Sequence, residues 1–583
     1  MASGDVLITV TDNTGAAVLV PSSRTILVMG PCSSGTANTI TATQNPSVVT
    51  SSLGAGPLVE ACGLLTSAGA MVLAMPTTQN AAGVLTGSTA TAIAITSTTE
   101  ATPISVTATA HGLITGSVVT VAGNTETAAN GTWVITVTGT NTFTLNGSAG
   151  AVSTGTGGTA QPLGIVFSGT GTSTPTVTLN GTVGCFDDYY VQFKCTLGGT
   201  IGTGPISFQL SLDAGRNFGP IISLGTATTY AIPNTGITLD FGSGTLVTND
   251  TISFQTTAPS WSTGGVQTAM TTFQNSPYAI GGVGSMLLVG PCTGPNASTI
   301  EGYLDTLATG YIYNRLMVNA VDATAPQAWT GSPTAAQTDS AWVSALQTNW
   351  SAVSAKRICA SAGFYNMTTV YPTASCGTPN YRRPLSWALA CRQVIIPIQR
   401  HAGRVKLGPL PQIVVNPTLD PLDGFNYHND GSGGPLDTSR FCSARTRIGK
   451  GLGYFISNPN LMAPAGSVFT LLPLGDVMDE ACDIVHQVNQ DQIDDDLRTN
   501  KNGTIYVADA LTLQNDTEDA LQNLMGSAFS APPDVSVDQT ANIALTKSVP
   551  FTVTLYQRTY VLQETVAIGF ANYNNPGATN SAA

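Results

Sequence analysis

The sequence predicts a multidomain α/β core, interrupted by inserted all-β domains and followed by an α+β C-terminal domain. Two observations predict it. Strand-like and helix-like segments alternate at both ends of the core, and a Thr/Gly/Val-rich stretch of period-two alternation separates them. At 583 residues there is room for roughly three to five domains of ~100–200 residues each.

The elements follow in order. Thr25 to Gly30 (TILVMG) reads as a buried strand, because a short apolar and β-branched run stops at Gly-Pro. Leu58 to Ala70 reads as a helix and Met71 to Ala74 as a second buried strand, which opens an α/β unit. From Gly87 to Pro162 the pattern becomes alternation, with strands at Ile104 to Thr107, Val118 to Val121, Trp133 to Val137 and Phe143 to Leu145. Turns at His111-Gly112, Gly123-Asn124, Asn130-Gly131 and Asn146-Gly147 separate them. A second β segment carries strands at Val177 to Leu179, Ile206 to Leu212, Ile237 to Phe241 and Ile252 to Phe254. Both segments read as insertions, because helical sequence resumes only after Trp261.

Beyond Trp261, helices at Val266 to Phe273, Ile300 to Ala308, Ser340 to Trp350 and Pro384 to Gln393 interleave with strands at Met286 to Val289, Leu316 to Val318, Arg357 to Ala360 and Ile413 to Val415. A long helix at Asp476 to Leu497 places Val477, Met478, Ala481, Cys482, Val485 and Val488 at helical spacing, a stripe expected to face the core. A helix at Thr517 to Met525 and two extended runs, Phe551 to Tyr556 and Tyr560 to Ala571, complete the chain. The implied domains are an N-terminal arm (1–20), the first part of the α/β domain (21–86), a small all-β module (87–165), a second β-rich insertion (166–262), the rest of the α/β domain (263–450), a C-terminal α+β domain ending in a strand arm (451–572) and a flexible tail (573–583).

Composition narrows the class. Only 9% of residues are charged while 42% are hydrophobic, against ~25% charged in ordinary soluble domains. Such a surface suits a protein covered by neighbours, or a secreted β-protein. The start MASGDVLITV shows no leader pattern, and the longest apolar runs, Ala68 to Met75 and Val394 to Ile398, fall short of the ~20 residues of a membrane helix. Ten cysteines without a CxxC pair read as small buried thiols; pairing of the nearest two, Cys185 and Cys195, stays open.

No motif carries catalysis. Gly30-Pro31-Cys32-Ser33-Ser34-Gly35-Thr36 has phosphate-loop glycine spacing but lacks the lysine, and Leu288 to Gly294 repeats part of the string, so both read as strand ends. Arg498 to Asp509 matches a calcium loop at Asn500, Asn502, Gly503 and Asp509, but Arg498 at position one would repel the ion. His486 four residues after Cys482 lacks a third member. No catalytic residue, cofactor site or metal site is expected.

Charge is sorted. Residues 351–450 hold twelve Lys and Arg against four Asp, and residues 451–583 hold four against fifteen Asp and Glu. The basic stretch, with Arg382, Arg383, Arg392, Arg400, Arg404 and Lys406, has few interleaved aromatics, and a net charge of −13 argues against nucleic acid as a partner. The complementary segments can pair within one subunit or between copies.

Several stretches resemble contractile-tail sheath proteins of bacteriophages, in the broad lineage that includes the Mu-like sheaths. They are Thr25 to Thr36 followed by Leu53 to Ala61, then Tyr313 to Val318 with Trp342 to Trp350, and most specifically Gly453 to Asn460 through Val477 to Cys482. The resemblance spans residues 20–80 and 280–570, and 87–260 departs from it. It implies a subunit of the virion tail, assembled in the bacterial cytoplasm, with itself, a tail tube protein, and baseplate and tail terminator proteins as partners. It implies arms that add strands to neighbouring subunits, here Asp5, Val6, Leu7 and Ile8, and Val561, Leu562, Thr565, Val566 and Ile568. The sorted charges would then meet across subunits, Arg440, Arg445, Arg447 and Lys450 against Asp491, Asp494, Asp495 and Asp496. The alternatives are a β-rich surface-layer or adhesive protein, which an export leader would favour, and a tail-associated polysaccharide-degrading enzyme, which paired carboxylates in a groove would favour.

Overall fold

The computed structural model describes residues 25–560 apart from 89, 152, 216, 281–283, 322–338, 369–379, 415–433, 448, 451, 491, 494 and 495. Strand β1 (Thr25–Gly30) is buried along nearly all its length, which is why it reads as a continuous apolar run and not an alternation. The short β2 (Thr41–Thr43) follows, then helix α1 (Pro57–Ser67), which starts on a proline whose missing N–H costs nothing there and is buried from Pro57 to Thr66. The chain returns as β3 (Met71–Pro76), parallel to β1 with Val28 opposite Ala74.

An insertion then leaves and rejoins the core at one place, because Gln79–Ala81 pairs antiparallel with Ser260–Trp261. Among the described residues its main sheet has thirteen strands. They include β4 (Ser117–Ala122), β5 (Gly131–Gly139), β6 (Thr159–Ser168), β7 (Tyr190–Leu197), β8 (Ile206–Ser211) and β9 (Thr251–Thr257). The turn glycines 112, 123, 131 and 147 all take positive φ, as the sequence pattern required.

The domain boundary expected at 165/166 falls inside β6. Thr159–Pro162 pairs with β4, the register shifts before Val166 meets Ser117 of the same strand, and on the other edge Ile165–Ser168 pairs with β9. Pro162 and Gly164 mark that shift. Two separate cores lie along the one sheet. Val106, Val119, Ile135, Phe143 and Leu145 fill the first, and Phe167, Val191, Phe193, Phe208 and Phe241 belong to the second. In the second, the Phe193 and Phe208 rings sit 5.0 Å apart.

After the insertion come α2 (Thr263–Gln274), capped by Ser262 through the Gly265 N–H, then β10 (Ser285–Cys292), α3 (Gly294–Thr309), β11 (Arg315–Ala320), β12 (Ile358–Ser361) and α4 (Leu385–Gln393). The core sheet runs β2-β3-β1-β10-β11-β12, with only β2 antiparallel. In chain order the parallel strands therefore read 2-1-3-4-5, and the order reverses between β1 and β10. Ile413 makes an isolated bridge to Met367 instead of the expected strand, with residue 415 outside the described residues.

Helix α5 (Leu472–Gln490) starts earlier and ends sooner than expected. Its buried residues are Leu472, Pro473, Gly475, Asp476, Asp479, Ala481 and Ile484; of the expected stripe only Ala481 is buried, while Val477, Met478, Cys482, Val485 and Val488 are half-buried. Tyr454, Ile456, Leu461, Met462 and Leu472 share the α/β core, and the compact units divide between Ile493 and Asp494. The second unit holds α6 (Val507–Met525), longer than expected at its N-terminus, and the antiparallel pair β13 (Asp534–Val537) and β14 (Phe551–Thr554). Both terminal arms lie outside the described residues.

At Gly164, φ is +70° and an added Cβ would stand 2.3 Å from the Thr86 carbonyl oxygen. Gly164→Ala is expected to destabilise the insertion by about 1 kcal/mol or more, read as a lower urea midpoint. An unchanged midpoint would contradict this account of the register shift.

Candidate functional site

Two buried charge clusters organise the first unit, one at each edge of the parallel sheet. At the amino edge, Arg315 opens β11 and its guanidinium grips Asp479 of α5 with two bonds, Nε to Oδ2 at 2.6 Å and Nη2 to Oδ1 at 2.9 Å. Nη1 donates to the Lys356 carbonyl and Nη2 to the Gly475 carbonyl. Gly475 makes this possible, because a Cβ there would lie 2.6 Å from the Arg315 guanidinium. Arg357, just before β12, donates from Nη1 to the same Asp479 at 3.3 Å and from Nε to Asp305 at 3.3 Å, while its backbone N–H reaches the Glu301 carboxylate.

This explains the overturned helix face. A fork-shaped donor with a matching carboxylate offsets the burial of charge, so the acidic side of α5 turns inward and the valines turn partly outward. Beside them, burial pushes the Asp476 carboxyl well above its usual range, against the pull of Arg315, and it accepts from Gln393 Nε2 at 2.9 Å. Burial raises Glu301 to about 7, with Asp305 adding to the rise and the Arg357 N–H opposing it.

At the carboxyl edge, Arg383 is buried between Glu60 of α1 and Asp187 of the insertion, donating through Nε to Glu60 at 2.9 Å and through Nη2 to Asp187 at 2.6 Å. Its planar group also lies 4.6 Å from the Tyr381 ring and 5.1 Å from the Trp387 ring. Next to it opens a cavity of about 350 Å³, between the ends of β1, β10 and β11.

The residues singled out from sequence fare differently. Arg440 is half-buried and donates to the carbonyls of Val353, Met462 and Ala463, so it holds its own subunit together. Arg445 and Arg447 are half-buried, with the Arg447 guanidinium 6.0 Å from the Phe455 ring, and Lys450 is exposed. Asp496 is exposed; Asp491, Asp494 and Asp495 lie outside the described residues, as do Asp5, Val6, Leu7, Ile8, Val561, Leu562, Thr565, Val566 and Ile568. The structure joins the basic and acidic segments within one chain, through Arg357 and Asp479.

The calcium-like loop closes on itself. Arg498 at its first position pairs with Asp509 at its twelfth, through Nε at 3.1 Å and through Nη2, and holds that carboxyl below its usual range. Cys185 and Cys195 are both free thiols. Among the described residues no group of three or more His, Cys, Asp or Glu is arranged for a metal ion, and no helix is long and apolar enough to cross a membrane. His486 stacks on Tyr311, ring centroids 4.0 Å apart.

Sequence reading missed Arg315, Arg357 and Asp479 as a unit. The signal available was an arginine opening the apolar run Leu316-Met317-Val318, which demands a buried partner.

Two outcomes follow. Arg315→Leu, which strands Asp479, is expected to cost about 3–5 kcal/mol in chemical unfolding, and Arg315→Leu with Asp479→Leu to recover most of it. Because the folded value of Glu301 lies above its ordinary 4.5, its contribution is fully present below that value and is lost as pH rises through about 7. Glu301→Gln should therefore flatten the fall in unfolding midpoint between about pH 5 and pH 8; an unaltered pH profile would refute the assignment.

Neither the protein-family models nor the curated proteins compared with the chain match it. Solved structures do resemble it. A chain of the anti-feeding prophage baseplate is 9% identical, with 54% of this chain and 76% of that one covered at a TM-score of 0.33. The helical sheath of the same particle, in its contracted state, is 10% identical over 54% and 77%, at 0.34. The sheath tail protein Lin1278 from Listeria innocua is 9% identical over 91% and 94%, at 0.36. The neighbours are thus tail sheath proteins and a baseplate chain, and at TM-scores this low the function is left to be argued from the residues.

Proposed function

We propose that this chain is a structural subunit of a contractile tail, polymerising with copies of itself into a sheath around a tail tube and contracting by rigid-body rearrangement of subunits. The observation that carries the reading is the β13–β14 ribbon of the second unit. Among the described residues no third strand pairs with it, so each strand presents a free row of backbone donors and acceptors. A two-stranded ribbon is marginal in water, and α6 covers β13, burying Val535 and Val537. An extended arm from a neighbour would complete it by main-chain hydrogen bonds.

The chain supplies two such arms in sequence, Asp5 to Thr11 and Val561 to Phe570, the second beginning a few residues beyond β14. The sparse charge fits a surface covered by copies and by tube, baseplate and terminator proteins. Of the proposed charge sets, Lys450 and Asp496 are the described members that are exposed, and both are assigned to contact across subunits. In this reading the protein acts in the virion tail after assembly in the bacterial cytoplasm, and it performs no catalysis.

Electron microscopy of the purified protein should show hollow tubes or stacked rings, and removal of 561–583 should leave unassembled subunits; ordered tubes from the truncated chain would overturn the arm assignment. Lys450→Glu should slow assembly several-fold by light scattering and Lys450→Glu with Asp496→Lys should restore it, with salt weakening both effects.

A further inference from the structure

The cavity at the carboxyl edge of the parallel sheet is assigned no role by the sheath reading. We propose that it binds a small, flat, uncharged heteroaromatic molecule of two or three rings. Its position is the first reason. In open α/β sheets the crevice beyond the strand ends, where the strand order reverses, is the place where two loops part and leave room for a ligand. Here the reversal lies between β1 and β10, and the cavity is lined by Pro31 after β1, Gly290 and Pro291 of β10, and Asn319 and Ala320 of β11.

The walls specify the chemistry. Prolines 31, 57, 259, 291 and 384 line the cavity, and their fixed φ and missing N–H groups make a stiff, preformed, apolar wall. Gly290, at φ +113°, shapes the loop where any Cβ would strike Trp261, 2.7 Å away. Trp342, Phe364, Tyr381 and Trp387 add aromatic surface for stacking. Two polar atoms in this wall have no protein partner: the Asn319 Oδ1 acceptor and the Trp387 Nε1 donor, on side chains 3% and 2% exposed. Buried polar groups are costly to leave unmet, so the pair calls for a ligand offering one donor and one acceptor.

Charge sets the last limit. Arg383 is the cation of the wall, and it is already held by Glu60 and Asp187, with Asp188 also lining the cavity. With no free positive charge there among the described residues, a phosphate-bearing cofactor is disfavoured and an uncharged ring is accepted. The volume of about 350 Å³ suits a molecule at the small end of ligand size.

The test uses the purified full chain with lumichrome and adenine as uncharged probes and flavin mononucleotide as the phosphate-bearing comparison. At least one uncharged probe should bind saturably, read by quenching of lumichrome or tryptophan fluorescence and by a raised melting temperature, while flavin mononucleotide should not. Asn319→Leu and Trp387→Phe, which remove the acceptor and the donor, should each weaken binding about tenfold at unchanged circular dichroism. Failure of both uncharged probes, wild-type affinity in both folded variants, or equal binding of flavin mononucleotide would each overturn the proposal. The wild-type measurement decides the first of these even if a variant fails to fold.

Discussion

One guanidinium decides how the first unit is put together. Arg315 stands at the start of a buried parallel strand, where water cannot reach it, and an uncompensated charge there would oppose folding by several kcal/mol. Asp479 supplies the bidentate partner, Gly475 supplies the space, and α5 must lie with its acidic side against the sheet edge for both to work. Arg357 shares the same carboxylate and reaches Glu301 and Asp305 of α3. Strands β11 and β12 and helices α3 and α5 are thereby tied at a single knot, which an apolar contact of equal area would not orient so narrowly.

What the sequence made legible follows from local physics. Strand β1 is read residue for residue because a strand buried on both faces needs only an apolar run and a stop signal, both present in TILVMG-Pro. Turns with Gly at positive φ are equally local. The face of α5 was not legible, since its valines satisfy helical spacing as well as the buried aspartates do, and the deciding partner lies 164 residues away in the chain. The boundary inside β6 was hidden for a similar reason. A strand that shifts its register midway shows only a proline and a glycine in an otherwise regular alternation.

The sorting of charge along the chain takes on a different meaning with the ion pairs in view. Arg383 and Arg357 come from the basic stretch, and both are consumed inside the first unit, by Glu60 and Asp187 and by Asp305 and Asp479. Arg440 spends its donors on backbone carbonyls. Part of the asymmetry is thus structural cement, laid where three distant segments of chain must meet. In the second unit the Arg498–Asp509 pair, with Arg498 exposed, bridges the ends of a loop that a metal ion closes elsewhere.

The doorway of the insertion has an evolutionary consequence. Gln79–Ala81 and Ser260–Trp261 are hydrogen-bonded to each other, so the 178 residues between them begin and end at neighbouring points on the core. A segment anchored in this way behaves as a cassette, because lengthening, shortening or exchanging it leaves the parallel sheet connected across the same short gap. Its deep roots among the described residues are Asp187 on Arg383 and the Asp188 carbonyl on the Tyr381 hydroxyl, the Tyr381 ring packing into the second core of the insertion. Selection can therefore redecorate the outside of this protein while the core that carries it stays under its own, separate constraint.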